Sequence, residues 1–159
     1  DAQVFNLTVE NNCDVAKTFG LYQIAQPSFQ MIQKSDPVVI EPKGTSVISA
    51  PFTELGMRLS ATADQGTAAQ WLSQPLFEFG YSEYNGLTGT AYDLSVMEGS
   101  DATGLAAYPD CETCESKICF AEGCSKAQAW THENQVADGS PADTVCYEGL
   151  KNFKVVWCP

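Results

Sequence analysis

Phe153-Lys154-Val155-Val156-Trp157-Cys158-Pro159 sets Phe153, Val155 and Trp157 on one face at a period of two, the mark of a short strand. A cysteine beside the end of the chain makes sense when that end is stitched to something distant. Cys13 is the sole cysteine of the first hundred residues, and it closes another alternating stretch, residues 4–10. The two stretches together predict a β-structure whose ends lie side by side, locked by Cys13–Cys158.

Outward from this pair the chain continues as short strands and turns. In residues 3–10, Phe5, Leu7 and Val9 alternate with Asn6, Thr8 and Glu10, a half-buried strand. Asn6-Leu7-Thr8 is an N-glycosylation sequon, and Asn6 falls on the polar face, open to a glycan. Residues 19–31 are apolar but aperiodic and interrupted by Pro27, so they read as strand and loop. Residues 37–44 form a strand running into a turn, and residues 45–50 begin the next. Residues 56–64 alternate again, with Met57, Leu59, Ala61 and Ala63 against Arg58, Ser60, Thr62 and Asp64. Residues 66–73 suit one helical turn around Trp71.

Residues 75–96 make the clearest unit. Phe77, Phe79 and Tyr81 oppose Glu78, Gly80 and Ser82; Asn85-Gly86 is a strong hairpin signal; Tyr92, Leu94 and Val96 then oppose Asp93 and Ser95. Pairing the two strands lets Glu78 and Asp93 share a face. Residues 98–146 hold five cysteines, many small residues and little periodicity, which predicts a cysteine-rich loop region pinned by disulfides. Within it residues 125–132 are the best helix candidate, with Ser125 as N-cap. The whole predicts a mainly-β sandwich with at most short helices, a single domain spanning residues 1–159.

Composition excludes several functions. A net charge of −12 with only eight Lys plus Arg argues against nucleic acid and against anionic membranes. Between Arg58 and Lys117 there is no basic residue but nine acids, which suggests an acidic groove beside the plain alternative of a charged, self-repelling surface. No run of about 18 apolar residues spans a membrane. Asp1-Ala2-Gln3 carries no basic-then-apolar leader, so a signal peptide is expected to have been removed. Seven cysteines with a single histidine, His132, predict disulfides in an oxidising compartment, with one thiol left over, rather than a metal site. The expectation is a secreted, monomeric protein without cofactor.

Glu78 with Asp93 is the one constellation with the makings of a site. Two carboxyls held about 5–9.5 Å apart serve glycoside hydrolysis; on an open sheet face they are merely solvated acids. His132 has no nucleophile elbow to serve and reads as a loop residue. Cys111-Glu112-Thr113-Cys114 has redox spacing, but it lacks the strand-to-helix setting and its flanking acids oppose a thiolate. Trp71, Trp130, Tyr81 and Tyr84 could stack on sugars, although aromatics more often serve the core.

At this point the residues resemble a family. Phe5-Asn6-Leu7-Thr8-Val9-Glu10-Asn11-Asn12-Cys13, Leu76-Phe77-Glu78-Phe79, Tyr92-Asp93-Leu94-Ser95-Val96-Met97-Glu98-Gly99, and Thr144-Val145-Cys146 with the closing Phe153 to Pro159 are similar, in order, to the strand motifs of thaumatin-like proteins. The chain is shorter and poorer in cysteine than plant members, with residues 58–75 abbreviated. It resembles short fungal secreted forms, among them hypersensitive-response-inducing elicitors and yeast-phase-specific antigens. The resemblance implies Cys13–Cys158 as the end-to-end bridge, Cys146 paired with Cys114 or Cys111, and Cys119–Cys124 as a local bridge. Of the family's acidic cleft, one Arg, one Glu and three Asp, it matches Glu78 and Asp93; Thr90 stands for another Asp, Ala61 for the Arg, and the third Asp has no match. The implied function is recognition without catalysis: an effector or elicitor perceived by a host plant receptor. The alternatives are a cell-wall β-1,3-glucan-binding or weakly hydrolysing protein using Glu78 and Asp93, and a surface antigen or adhesin.

Overall fold

A computed structural model describes residues 3–97, 103–147 and 149–159. Among these, the smaller sheet runs in the order β10 (Lys117–Cys119), β9 (Leu105–Pro109), β12 (Asn152–Trp157), β1 (Val4–Asn11), β5 (Gly44–Pro51). The larger runs β11 (Thr144–Cys146), β8 (Leu87–Ser95), β7 (Leu76–Tyr84), β6 (Met57–Ser60), β2 (Lys17–Ala25), β3 (Gln30–Gln33), and β4 (Val38–Ile40) also pairs with β2. The fold is mainly β, two sheets packed face to face.

The alternation decides which face is inside. Phe5, Leu7 and Val9 of β1 are fully buried, as are Phe77 and Leu94, while the residues between them turn outward. Aromatic rings join the sheets: Phe5 meets Phe79, Phe153 meets Phe77, and Trp157 meets Phe19, each at 5.0 Å between centroids. Such offset and edge contacts add to the apolar burial that drives the sheets together.

The chain ends lie side by side. β1 and β12 run parallel from Asn6 opposite Asn152 to Asn11 opposite Trp157. Just beyond, the Asn12 N–H donates to the Trp157 carbonyl at 3.0 Å, and Cys13 is bonded to Cys158 with Cα atoms 5.1 Å apart. Asn11 is fully buried yet satisfied: its Nδ2 donates to the carbonyls of Val15 and Ile40, and its Oδ1 accepts the Cys13 N–H. The other bridges are Cys114–Cys146 and Cys119–Cys124, and Cys111 is a free thiol.

Two local expectations fail. The cysteine-rich region read as loops contains β9, β10 and β11. Leu105, Ala106 and Ala107 are all fully buried, so β9 has no polar face and leaves no alternation to read. Residues 125–132 are not a helix. They hold one turn, the Gln128 N–H donating to the Ser125 carbonyl at 3.0 Å. Trp130 then exchanges backbone bonds with β8: its N–H donates to Leu94 at 2.8 Å, and its carbonyl accepts the Val96 N–H at 2.7 Å. A helix over these residues would instead commit the Trp130 N–H to the carbonyl four residues earlier. A six-residue 3-10 helix, Glu133–Asp138, follows, with His132 half-buried at its start.

The chain-entropy model gives the Cys13–Cys158 bridge, which closes a 145-residue separation, about 5 kcal/mol at most. Replacing both cysteines by serine should therefore lower the urea unfolding free energy by several kcal/mol and raise the m-value, because the unbridged unfolded chain exposes more surface. A loss below about 1 kcal/mol would show that β1–β12 pairing alone holds the ends.

Candidate functional site

The outward face of the larger sheet carries a cross-strand row of charged side chains. Antiparallel register sets Arg58 opposite Glu78 and Glu78 opposite Asp93. Thr144 opposite Tyr92 brings Asp143, the residue before β11, level with Asp93. Four neighbouring strands thus deliver Arg58, Glu78, Asp93 and Asp143 side by side, because directly opposed residues share a face. Tyr22 of β2 lies opposite Arg58 and continues the row; burial, then the charge of Asp64, pushes its hydroxyl pKa up.

Each member is held in place. Arg58 Nη2 donates to Glu78 Oε2 at 3.2 Å, and Nη1 reaches the Gln70 carbonyl at 3.4 Å. Gln70 belongs to a buried network in which Gln74 Oε1 accepts from Ser60 Oγ and Thr62 Oγ1, both at 2.8 Å. At the far end, Trp130 Nε1 donates to Asp143 Oδ1 at 2.6 Å. Thr144 Oγ1 bonds Glu115 Oε2 at 2.9 Å, and the Cys114–Cys146 bridge ties β11 to the same loop.

Glu78, Asp93 and Asp143 line a pocket of about 430 Å³. One wall is Leu55-Gly56, which closes on the sheet because residue 80 is glycine: a Cβ there would sit 2.8 Å from the Gly56 nitrogen and 3.1 Å from the Leu55 Cα. On the other side of Arg58 a smaller pocket of about 130 Å³ is lined by Trp71, Gln74 and Met97.

Electrostatics single out Asp93. With every carboxylate ionised, its Oδ1 is buried without a partner. A proton resolves this, since the carboxyl then donates to Glu78 or Asp143. Burial first, then the charge and hydrogen bond of Glu78, then Asp143, push its pKa up to about 10. Glu78 is paired with Arg58 instead. Glu78 and Asp93 are directly opposed across β7 and β8, and Glu78 is already bonded to Arg58. What the row offers is hydroxyl recognition: carboxylate acceptors, one acid donor and a guanidinium.

Sequence reasoning placed Glu78 and Asp93 on one face, and the structure pairs them directly. It missed Arg58 and Asp143. Ala61 packs against the core, and Thr90 is buried with its hydroxyl bonded to the Leu150 carbonyl, so neither position faces the pocket. The signal for Arg58 lay in its own strand, on the polar face between Met57 and Leu59; that for Asp143 lay beside Thr144-Val145-Cys146. Of the candidate stacking aromatics, Trp71 is half exposed and stacked on Phe29, and Tyr84 is exposed near Tyr147. Tyr81 packs on Phe52, and Trp130 serves Asp143.

No family model and no curated protein sequence matches the chain. Solved structures do. The chain is similar to the protein elicitor MoHrip2 from Magnaporthe oryzae over 98% of its own length and 99% of that chain, at 15% identity and a TM-score of 0.58. It is similar to the thaumatin-like xylanase inhibitor TLXI over 96% and 99%, at 12% identity and a TM-score of 0.55. At these identities the likeness establishes the fold, which is the thaumatin-like β-sandwich.

The raised Asp93 pKa sets the sign of a pH dependence. Unfolded Asp93 ionises near the ordinary carboxyl value of 3.8 and the folded group at about 10. In that window the native state holds the extra proton, so this group's contribution to stability falls as pH rises. Asp93→Asn keeps the donor and removes the titration. At pH 9 the variant should be more stable than wild type by at least about 1 kcal/mol, and at pH 4 the two should converge. A variant less stable than wild type at pH 9 in chemical denaturation would contradict the protonated carboxyl.

Proposed function

We propose that this protein acts outside the cell by recognition and not by catalysis, its acidic cleft taking a neutral, hydroxyl-rich cell-wall polysaccharide of the β-1,3-glucan type. The observation that carries the reading is the cross-strand row in which Glu78, bonded to Arg58, stands opposite Asp93, whose Oδ1 is buried without a partner. The cleft's Glu78 and Asp143 supply acceptors, Arg58, bonded to Glu78 and lining the adjoining smaller pocket, supplies a cation beside them, and a sugar's hydroxyl groups match that pattern without bringing a charge to repel. Three disulfides fit an oxidising, extracellular setting.

A second reading concerns what such binding serves. The full-length fold likeness to a protein named as an elicitor favours an effector or elicitor that a plant host perceives through a receptor. Leaf infiltration with purified protein tests it: localised cell death or defence-gene induction supports it, and neither response counts against it.

The binding reading is tested on insoluble β-1,3-glucan. Wild type should sediment with the polymer and release no reducing ends. Glu78→Gln and Asp143→Asn should each weaken binding by roughly tenfold, about 1.4 kcal/mol, whereas Asp93→Asn should bind nearly as wild type because it still presents a neutral donor. Reducing ends that vanish in Glu78→Gln would replace this reading by a hydrolase. Absence of sedimentation would remove glucan as the ligand.

A further inference from the structure

The outer face of the smaller sheet, on the opposite side of the molecule's core from the acidic row, carries a second polar arrangement. Register sets Ser49 opposite Asn6 and Asn6 beside Asn152; in the next row Val47 lies opposite Thr8, Thr8 beside Lys154, and Lys154 opposite Tyr108. These residues border a groove of about 630 Å³, also lined by Pro109 and Asp110. Its floor is mixed: Val47 is 59% exposed in the middle of polar neighbours.

Asn6 has a particular hydrogen-bond state. Its Oδ1 accepts from Ser49 Oγ at 2.7 Å, and its Nδ2 donates to Asn152 Oδ1 at 3.4 Å. The fold thus uses one of the two Nδ2 hydrogens, and no acceptor takes the other among the described residues. Thr8, two residues on, faces the same way, because strand side chains repeat with period two.

We propose that Asn6 Nδ2 carries an N-linked oligosaccharide, whose first sugars lie in this groove over Val47 and Tyr108. The donor is a lipid-pyrophosphate-linked oligosaccharide of the secretory pathway. The Nδ2–C1 bond forms as the C1–oxygen bond to pyrophosphate breaks; Nδ2 gives up one proton, and the lipid pyrophosphate departs. The product is a secondary amide. It keeps one N–H for Asn152 and its oxygen for Ser49, so the folded sheet accepts the modification without losing either bond. Transfer to the chain before it folds makes the later strand conformation no barrier. The sugar's apolar face then covers Val47, and its hydroxyls meet Asp110 and Lys154. This site lies on the other sheet from the acidic row, so its failure and that of the glucan reading are separable.

The test is expression of the full chain through a eukaryotic secretory pathway, followed by intact-mass and peptide mass spectrometry. Wild type should carry a glycan that peptide-N-glycosidase removes, converting Asn6 to Asp. The mass shift should be lost in Asn6→Gln and Thr8→Ala and kept in Thr8→Ser, which retains the sequon and separates loss of the acceptor from loss of folding. Secreted wild type with unmodified Asn6 would overturn the proposal. Nitration by tetranitromethane tests the seat: Tyr108 should react more slowly in the glycosylated protein than after native deglycosylation, and equal rates would overturn the placement of the sugars.

Discussion

The parallel pairing of the first and last strands is the constraint on which the rest depends. β1 and β12 are neighbours in the centre of the smaller sheet, flanked by β9 and β5, and they contribute Phe5, Leu7, Val9, Phe153, Val155 and Trp157 to the core. Parallel neighbours separated by almost the whole chain repay their loop-closure entropy only once everything between them is in place. The disulfide Cys13–Cys158 removes much of that cost from the unfolded state, and buried Asn11 locks the corner through three hydrogen bonds. With these ends joined, Phe153 and Trp157 become the ridge against which the larger sheet packs.

The larger sheet then fixes its outer face by register alone. Pairing of β6, β7 and β8 sets Arg58, Glu78 and Asp93 in line, and Asp143, the residue just before β11, extends the row. One guanidinium faces three carboxyls. Arg58 pairs with Glu78, which leaves Asp93, the more deeply buried acid, between two carboxylates with no cation of its own. Holding a proton there avoids the cost of ionising a buried carboxyl beside two other acids. The result is a mixed donor and acceptor surface in a chain whose formal charge is −12.

What could be read from sequence followed the alternation. The strands β1, β6, β7 and β8 show period two, and the Asn85-Gly86 turn has positive φ at both residues, as its hairpin signal requires. The pair Glu78 and Asp93 was legible for the same reason, since a two-residue turn fixes register. Arg58 was visible on a polar face, but its partner is set by pairing across a 20-residue gap filled by 3-10 turns and a glutamine network, which no local pattern encodes. Asp143 lies where small residues, turns and disulfides erase periodicity. β9 escaped notice because both its faces are buried, and residues 125–132 looked helical because their backbone bonds go to β8, a tertiary contact that overrides local propensity.

The central claim is that Asp93 keeps its proton at neutral pH and shares it with its neighbours. Infrared spectroscopy reads this directly, because a protonated carboxyl has a carbonyl band distinct from those of carboxylates. At pH 7 the wild-type protein should show this band and Asp93→Asn should lack it, with Glu78→Gln leaving it present. A spectrum at pH 7 without any protonated-carboxyl band, identical in wild type and Asp93→Asn, would contradict the account.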